Sequence, residues 1–600
     1  MQTEMQSMDR ITADVCVVGG GMAGLAAAVT AVRQGVKVAL VQDRPVLGGN
    51  ASGEIRVHIS GADAHGKRPF CRETGILEEL RLENSFRNPQ REYPVWDLLL
   101  YEFASREPNL RLLLNAACVG ARMDGPRIRA ALVEQPVNWR RFEVEATTFV
   151  DCSGDGRLAF EAGANCRRGR EARSEYGEPG APETADDCGM GASIVYQTRD
   201  MGRPVEFTPP PWAMDFKKTG LPPHRRPMPD EMSGYWWVET GGTRHPTHDG
   251  AEVHRELLAI ALGVFDYVKN SGEYPEAANL ALAWIGQLPG RRSGLRFLGD
   301  HVLRQQDLQE RPEFPDRVAY GGWPMDRHPP SGFFSPEPPA DYLEVPDIYS
   351  IPLGSLYSRN IENLYLAGRC HSATYTAHGS TRVMGTGISM GQAVGMAAAV
   401  GIQRGAAPRG VRESQVREVQ QRLLKEDALI IGVQNEDPHD LARAAKVTAS
   451  GKESEALAPA NVTNGVSRPR EGAMNMWAGA RGRTAGEWIE LSWAGARTIA
   501  EARLTFDTNL EPEFAFSIFP YVRHRMQAPV PATVADYRIE ARDGDLWRTL
   551  VHVTGNYQRH RVHKFGPVRT DALRVAFEKT NGADQVRLYE LRAYAPRAER

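Results

Sequence analysis

Apolar residues cluster first at 13–19, Ala-Asp-Val-Cys-Val-Val-Gly, a short run of the kind that forms a buried strand. Met22 to Gln34 is Ala-rich with helical periodicity, and Val36 to Val41 is a second apolar run. Strand, Gly-rich turn, helix and strand within about 30 residues is the spacing of a βαβ unit on a parallel sheet. Further strands are predicted at Leu110–Leu114, Phe142–Val150 and Ile361–Leu366. Helical spacing appears at 251–285, from about Gly385 to Val400, and at Val411–Ile431. Beyond about Val447 the pattern becomes short alternating segments between turn residues: Trp488–Trp493, Ile499–Asp507, Ala535–Ala541 and Ala572–Glu578. Strands at that spacing predict a β-sandwich.

Six hundred residues exceed what one hydrophobic core holds. The expected architecture is a discontinuous α/β Rossmann-like nucleotide-binding domain (1–165 and 345–405) with an inserted α+β substrate domain (166–344), rich in Pro, Gly, Trp and Arg. A helical connector (406–450) and a C-terminal all-β sandwich (451–600) complete it. With 42% hydrophobic and 24% charged residues the chain is globular. Its 72 basic and 75 acidic residues leave a net charge of −3, no footprint for nucleic acid or an anionic membrane. No apolar run reaches the roughly 18–20 residues of a membrane span. The polar start, Met1 to Arg10, carries no secretory pattern. Seven scattered cysteines without a C-x-x-C pair argue against a disulfide framework and a Cys-rich zinc site. No metal site, a cytoplasmic setting and a homo-oligomer at most are therefore expected.

Gly19-Gly-Gly21-Met22-Ala23-Gly24 is a G-x-G-x-x-G between the first strand and the first helix. There Gly19 permits the tight turn, Gly21 lets backbone approach a pyrophosphate, and Gly24 lets helix and strand pack closely. The helix N-terminus adds free N–H groups. The second strand ends in Gln42, where an acidic ribose ligand is expected, with Asp43 beside it; either is a candidate for the ribose hydroxyls. A second glycine pair follows in Arg44-Pro-Val-Leu-Gly48-Gly49-Asn50-Ala51-Ser52. Here the chain begins to resemble FAD-dependent oxidoreductases of the two-dinucleotide-fold, glutathione-reductase-like class. Thr147–Gly156, ending in Ser-Gly-Asp155-Gly, is similar to the second flavin fingerprint of that class. Asn363-Leu-Tyr-Leu-Ala-Gly368-Arg369 resembles the strand that returns to the flavin, and Gly385-Thr386-Gly387 to Gly391 and Gly395 the helix that faces its pyrimidine. More narrowly, Gly48–Ala62, Gly234–Gly242, Leu288–Arg292 and His371–Gln392 resemble a bacterial group of FAD-dependent oxidoreductases, over roughly 12–445. The resemblance implies FAD as cofactor, held by Gly19, Gly21, Met22, Ala23, Gly24, Gln42, Asp43, Arg44, Gly48, Gly49, Asn50, Ala51, Ser52, Cys118, Asp155, Gly368, Arg369, Thr386, Gly387 and Gly391. Residues from about 455 resemble galactose-binding or discoidin-type sandwiches, on Pro459–Gly465, Trp488–Leu491, Tyr537–Glu540, Trp547 and Val586–Arg592. Such modules bind carbohydrate or serve as packing domains.

Hydride transfer to a flavin calls for a nearby base, and His is the usual one. His58, His371 and His378 lie in segments expected near the ring. Alternation predicts a strand with Glu54, Arg56 and His58 on one face. Arg382 is placed either to hold an anion, substrate or flavin, or to make a loop-to-helix salt bridge. Tyr235-Trp236-Trp237 and the stretch Tyr320 to His328, which includes Trp323 and Asp326, are core residues or substrate-stacking faces; Arg291 and Arg292 are loop charges or partners of a carboxylate. The expected function is an FAD-dependent oxidoreductase, dehydrogenase or oxidase, acting on a small organic substrate, first a carbohydrate or polyol. The alternative is a carbohydrate-binding protein on a flavoprotein scaffold.

Overall fold

Small and β-branched apolar residues make β1 (Asp9–Val18) a strand buried on both faces over its last four residues, as a parallel sheet demands. A computed structural model, describing residues 8–519 and 527–596, places β1 inside a seven-stranded sheet. α1 (Met22–Arg33) returns the chain to β2 (Val38–Val41), parallel to β1, and after α2 (Tyr93–Ser105) β3 (Leu110–Leu113) adds parallel to β2. β4 (Ala117–Asp124) and β5 (Arg127–Gln135) form an antiparallel hairpin against the first half of β6 (Arg140–Asp151). β6 runs parallel to β1 on one edge, and its last residues receive β7 (Leu364–Leu366) in parallel on the other.

The inserted segment packs short strand pairs against α3 (Gly250–Asn270), which buries Leu257, Ile260, Val264 and Phe265 beside Tyr196, Tyr235 and Phe333. The helical pattern predicted to reach 285 stops at Asn270. Gly272, at φ +82°, and Pro275 end it, and Leu280–Ile285 pairs as a strand with Tyr196–Asp200. Later, α4 (Tyr375–Thr381) and α5 (Met384–Arg404) meet at 89°. α5 lies on α1 through small residues: a Cβ on Gly391 or Gly395 would overlap the backbone of Ala23 or Ala27. That seam brings the first turns of the two helices together. These elements, with residues 515–519, form one compact unit of 8–65 and 91–419.

The second unit contains 66–90, 420–514 and 527–596. Residues 66–90, expected in the nucleotide-binding domain, and 420–445, expected in a connector, cluster with the C-terminal strands instead. Buried polar pairs account for this. Arg72 binds Glu78 and the carbonyls of Thr508 and Asn509, while Arg559 binds Asp427 at 2.8 Å. The strands are β8 (Lys446–Ala449), β9 (Trp477–Ala478), β10 (Trp488–Phe506), β11 (Val534–Asp543), β12 (Leu546–Val553), β13 (His560–Thr580) and β14 (Arg587–Tyr594), all antiparallel. The two strands predicted at 488–493 and 499–507 are one, β10, broken in register after Ser492 and Ile499. Ile489 and Leu491 before the breaks, and Ala502 and Leu504 after them, enter one core, consistent with a β-sandwich.

Candidate functional site

The turn after β1 is built from missing side chains. Gly19 lies at φ +99°, and a Cβ there would strike the backbone of Cys152 and Ser153. A Cβ on Gly24 would overlap the Gly19 carbonyl oxygen. Gly21 differs: its φ is −63°, and its Cβ would stand 3.8 Å from Gly49, an ordinary contact. Nothing in the protein requires glycine at 21, so the bare backbone there serves a ligand. Gly21 is the N-cap of α1, with no side-chain cap and no acidic residue in the first turn, which leaves a positive helix end open to an anion. The second turn lies alongside: the Gly48 N–H donates to the Gly20 carbonyl at 2.9 Å. Trp96 Nε1 donates to Ala51 O at 2.9 Å and the Gly53 N–H to Asp97 at 2.8 Å, pinning this turn to α2.

Gln42 spends its amide on bracing both turns. Its Oε1 accepts from the Gly20 N–H at 2.6 Å and its Nε2 donates to Val46 O at 3.0 Å. Asp43 beside it is exposed. Arg44 stands 3.9 Å from Glu54, and Asn50 Nδ2 donates to Arg291 O at 3.0 Å. Cys118 is buried at the start of β4, where burial pushes its thiol up to about 12. Across the cradle, Arg291 and Arg369 grip Asp155, the latter at 3.4 Å. A Cβ on Gly387 would stand 3.5 Å from Gly368 and 4.0 Å from Ala23. Gly391 packs helix on helix. The buried hydroxyls of Ser52, in the second glycine turn, and Thr386, in the first turn of α5, have no partner among the described residues. The open helix end, the superfluous glycine and these hydroxyls fit a dinucleotide diphosphate.

Two of the three candidate histidines are enclosed. His371 bonds through Nδ1 to Gly368 O and through Nε2 to Thr381 Oγ1, both at 2.7 Å. His378 Nε2 meets Arg369 O at 3.1 Å, and its ring stacks on His371. Both are fully buried. Burial pushes His371 down to about 4 and His378 well below the usual imidazole value. The unfolded chain, titrating near 6.5, then takes up protons first as pH falls. Stability is expected to drop between pH 6.5 and 4 by about 3 kcal/mol from His371 alone. The urea midpoint of His371→Gln should fall less steeply than the parent's across that interval; parallel curves would contradict the assignment.

His58 is half-buried, but not on the predicted strand. The N–H groups of Ile55 and Arg56 turn back to Ser52 O, and Arg56 lies at φ +63°, so Glu54, Arg56 and His58 share no face. Arg56 leaves for Gln197 at 2.6 Å and the Trp284 ring at 4.0 Å. His58 packs against His65 and the edge of Phe519, ring centres 5.1 and 5.0 Å away. Burial, then His65, push its pKa down to about 3. Two residues on, Ser60 O accepts the Gly385 N–H at 2.8 Å, joining this segment to the first turn of α5.

Beside it runs a chain of alternating charges. Arg292 lies 3.6 Å from Glu239, whose carboxylate meets His328 Nδ1 at 2.8 Å. His328 Nε2 lies 3.1 Å from Asp326, which accepts from Arg382 at 3.0 Å. Burial opposes charge on His328, but Asp326 and then Glu239 raise its pKa overall; Asp326 is held below the usual carboxylate range by His328 and Arg382. Arg292 stacks over Trp236 at 4.4 Å, and Trp237 faces His328 at 6.3 Å. Trp236, Trp237, Asp326 and Arg382 are half-buried, whereas Tyr235 and Tyr320 are core. Arg382, the C-cap of α4, thus pairs with Asp326 of the short strand Met325–Arg327 and not with a loop, and Arg292 meets a carboxylate. Glu239 was missed: one acid in a two-residue strand gives no signal without its partner, His328, 89 residues away.

Solved structures resemble about a quarter of the chain. Chitosan-binding module 1 of a chitosanase/glucanase from Paenibacillus sp. IK-5 is 19% identical, with 26% of this chain and 99% of that one covered at a TM-score of 0.20. The family 32 carbohydrate-binding module of Streptococcus pneumoniae EndoD is 14% identical over 26% and 99%, at 0.21. The family 32 module of C. perfringens NanJ, solved with galactose, is 13% identical over 26% and 95%, at 0.19. A search of curated proteins found no match. The family model described as FAD dependent oxidoreductase matches residues 14–423, the stretch that holds both glycine turns, His58, the charge chain and α5. The chain belongs to the FAD-dependent oxidoreductases and uses FAD.

Proposed function

We propose that this oxidoreductase acts on a small hydroxyl-bearing molecule of the carbohydrate or polyol class, bound beside the first turn of α5. The observation that carries the reading is the gathering of half-buried His58, Trp236, Trp237 and Arg382 at that turn, backed by the buried chain from Arg292 to Asp326. FAD supplies the hydride acceptor. The two glycine turns and the N-terminus of α1 hold its diphosphate, and Asp43, unlike the occupied Gln42, is free for ribose hydroxyls. His58, kept neutral, takes the hydroxyl proton. Trp236, fixed under Arg292, offers a flat face to the C–H side of a sugar ring. Arg382, anchored by Asp326, sets a permanent positive charge at the start of α5, where negative charge is stabilised.

Anaerobic titration of the FAD-loaded protein with a panel of aldoses, polyols and simple alcohols tests this. A sugar or polyol should bleach the flavin bands that lie near about 370 and 450 nm. No bleaching by any sugar or polyol would refute the substrate class. His58→Ala should keep its FAD and slow reduction by about 10²-fold or more, the usual worth of a positioned base. Equal loss in His371→Ala and none in His58→Ala would reverse the assignment.

A further inference from the structure

A small cleft opens within the inserted segment. Its walls carry four arginines, Arg168, Arg244, Arg291 and Arg296, against a single acid, Asp187. The lining takes no residue from Gly19–Gly24, Gly48–Ser52 or α5, and it borders the dinucleotide cradle at Arg291, which also holds Asp155. Each guanidinium is oriented by one carboxylate: Arg168 by Asp187 and Arg244 by Glu256 at 2.8 Å, Arg291 by Asp155, and Arg296 by Glu171 at 2.6 Å. One carboxylate does not exhaust the five N–H groups of an arginine. Arg296 is the clearest case. Its side chain is 2% exposed, and Nε and Nη2 donate to Ala373 O, Gly169 O and Glu171. Its Nη1 has no acceptor among the described residues. Arg291 Nη2 would stand 3.1 Å from a Cβ on Gly250, the first residue of α3, which itself lines the cleft. The cap of α3, Asp249, makes no side-chain bond to the helix.

We propose that this cleft binds the oxyanion group of a small molecule, phosphate or carboxylate. Preset guanidinium forks match the paired oxygens of such groups. The reading is independent of the oxidised substrate, because it uses neither His58 nor the charge chain.

Calorimetric titration of the FAD-loaded protein with pyrophosphate, ADP and citrate tests it, the first two distinguishing phosphate from the carboxylates of the third. At least one should bind saturably while the flavin absorbance stays in place. Arg168→Gln/Arg244→Gln removes two partly exposed arginines and should weaken that binding by about tenfold or more, as loss of charge-assisted hydrogen bonds does. If the double variant does not fold, Arg244→Gln alone should weaken binding in the same direction. Absence of saturable binding, affinity unchanged in the variant, or release of FAD as the anion binds would overturn the proposal.

Discussion

Gly21→Val is expected to purify folded and colourless. The substitution separates what the protein needs from what the cofactor needs. At φ −63° a side chain is tolerated by the backbone, and the nearest protein atom to a Cβ is 3.8 Å away. Valine therefore costs the apoprotein no more than the ~1 kcal/mol of an ordinary surface change, while its methyl groups fill the ground on which the diphosphate lies. Thermal unfolding of the apoproteins should nearly coincide, and only the parent should gain stability when FAD is added, since a ligand stabilises only the state that binds it. Yellow Gly21→Val protein would remove the diphosphate from this turn. Gly24 makes a poor substitute for this experiment, because a Cβ there collides with Gly19 and the fold itself gives way.

Glu239→Ala should be among the most damaging single changes outside the glycine turns. The variant leaves Arg292 and His328 buried with one carboxylate fewer, and removing one partner of a buried pair costs about 3–5 kcal/mol. Against a total stability of about 5–15 kcal/mol, that lowers the urea midpoint visibly. Glu239→Gln keeps the shape and one acceptor and should lose less. His328 adds a pH signature. Its pKa is raised in the folded chain, so its contribution is complete below about 6.5 and is lost as pH climbs through the folded value. The alkaline decline in stability should therefore be shallower in Glu239→Ala. A variant as stable as the parent, with the same pH profile, would show that these charges do not depend on one another.

The dinucleotide cradle was legible because its determinants are backbone positions a few residues apart: Gly19 and Gly24 must be bare for the turn to form, and Gly21 for its ligand. The charge chain was not, because it is assembled from residues on four separate segments, and Glu239, Asp326 and His328 become a unit only when the sheet and the inserted segment have folded. His371 and His378 stand in a segment that reads as polar loop but forms α4 over Tyr375–Thr381, and whether such a ring works or merely holds depends on burial, which the sequence does not display. The β4–β5 hairpin escaped notice for a related reason. Arg122, Asp124, Arg127 and Arg129 stand in it, and a strand with one wet face reads as loop. The departure of residues 66–90 to the second unit hangs on Arg72 reaching carbonyls more than 430 positions away.

β6 has one partner nearby and another more than two hundred positions downstream. A ribosome must therefore release everything between Asp151 and Leu366 before the far edge of that strand is closed, and α5 emerges later still. Both glycine turns of the pyrophosphate seat are synthesised within about the first fifty residues and then wait, with the far edge of β6 unpaired, through much of translation. Flavin capture is thus a late checkpoint of synthesis, and holdase chaperones have their longest opportunity on this nascent chain between those two moments.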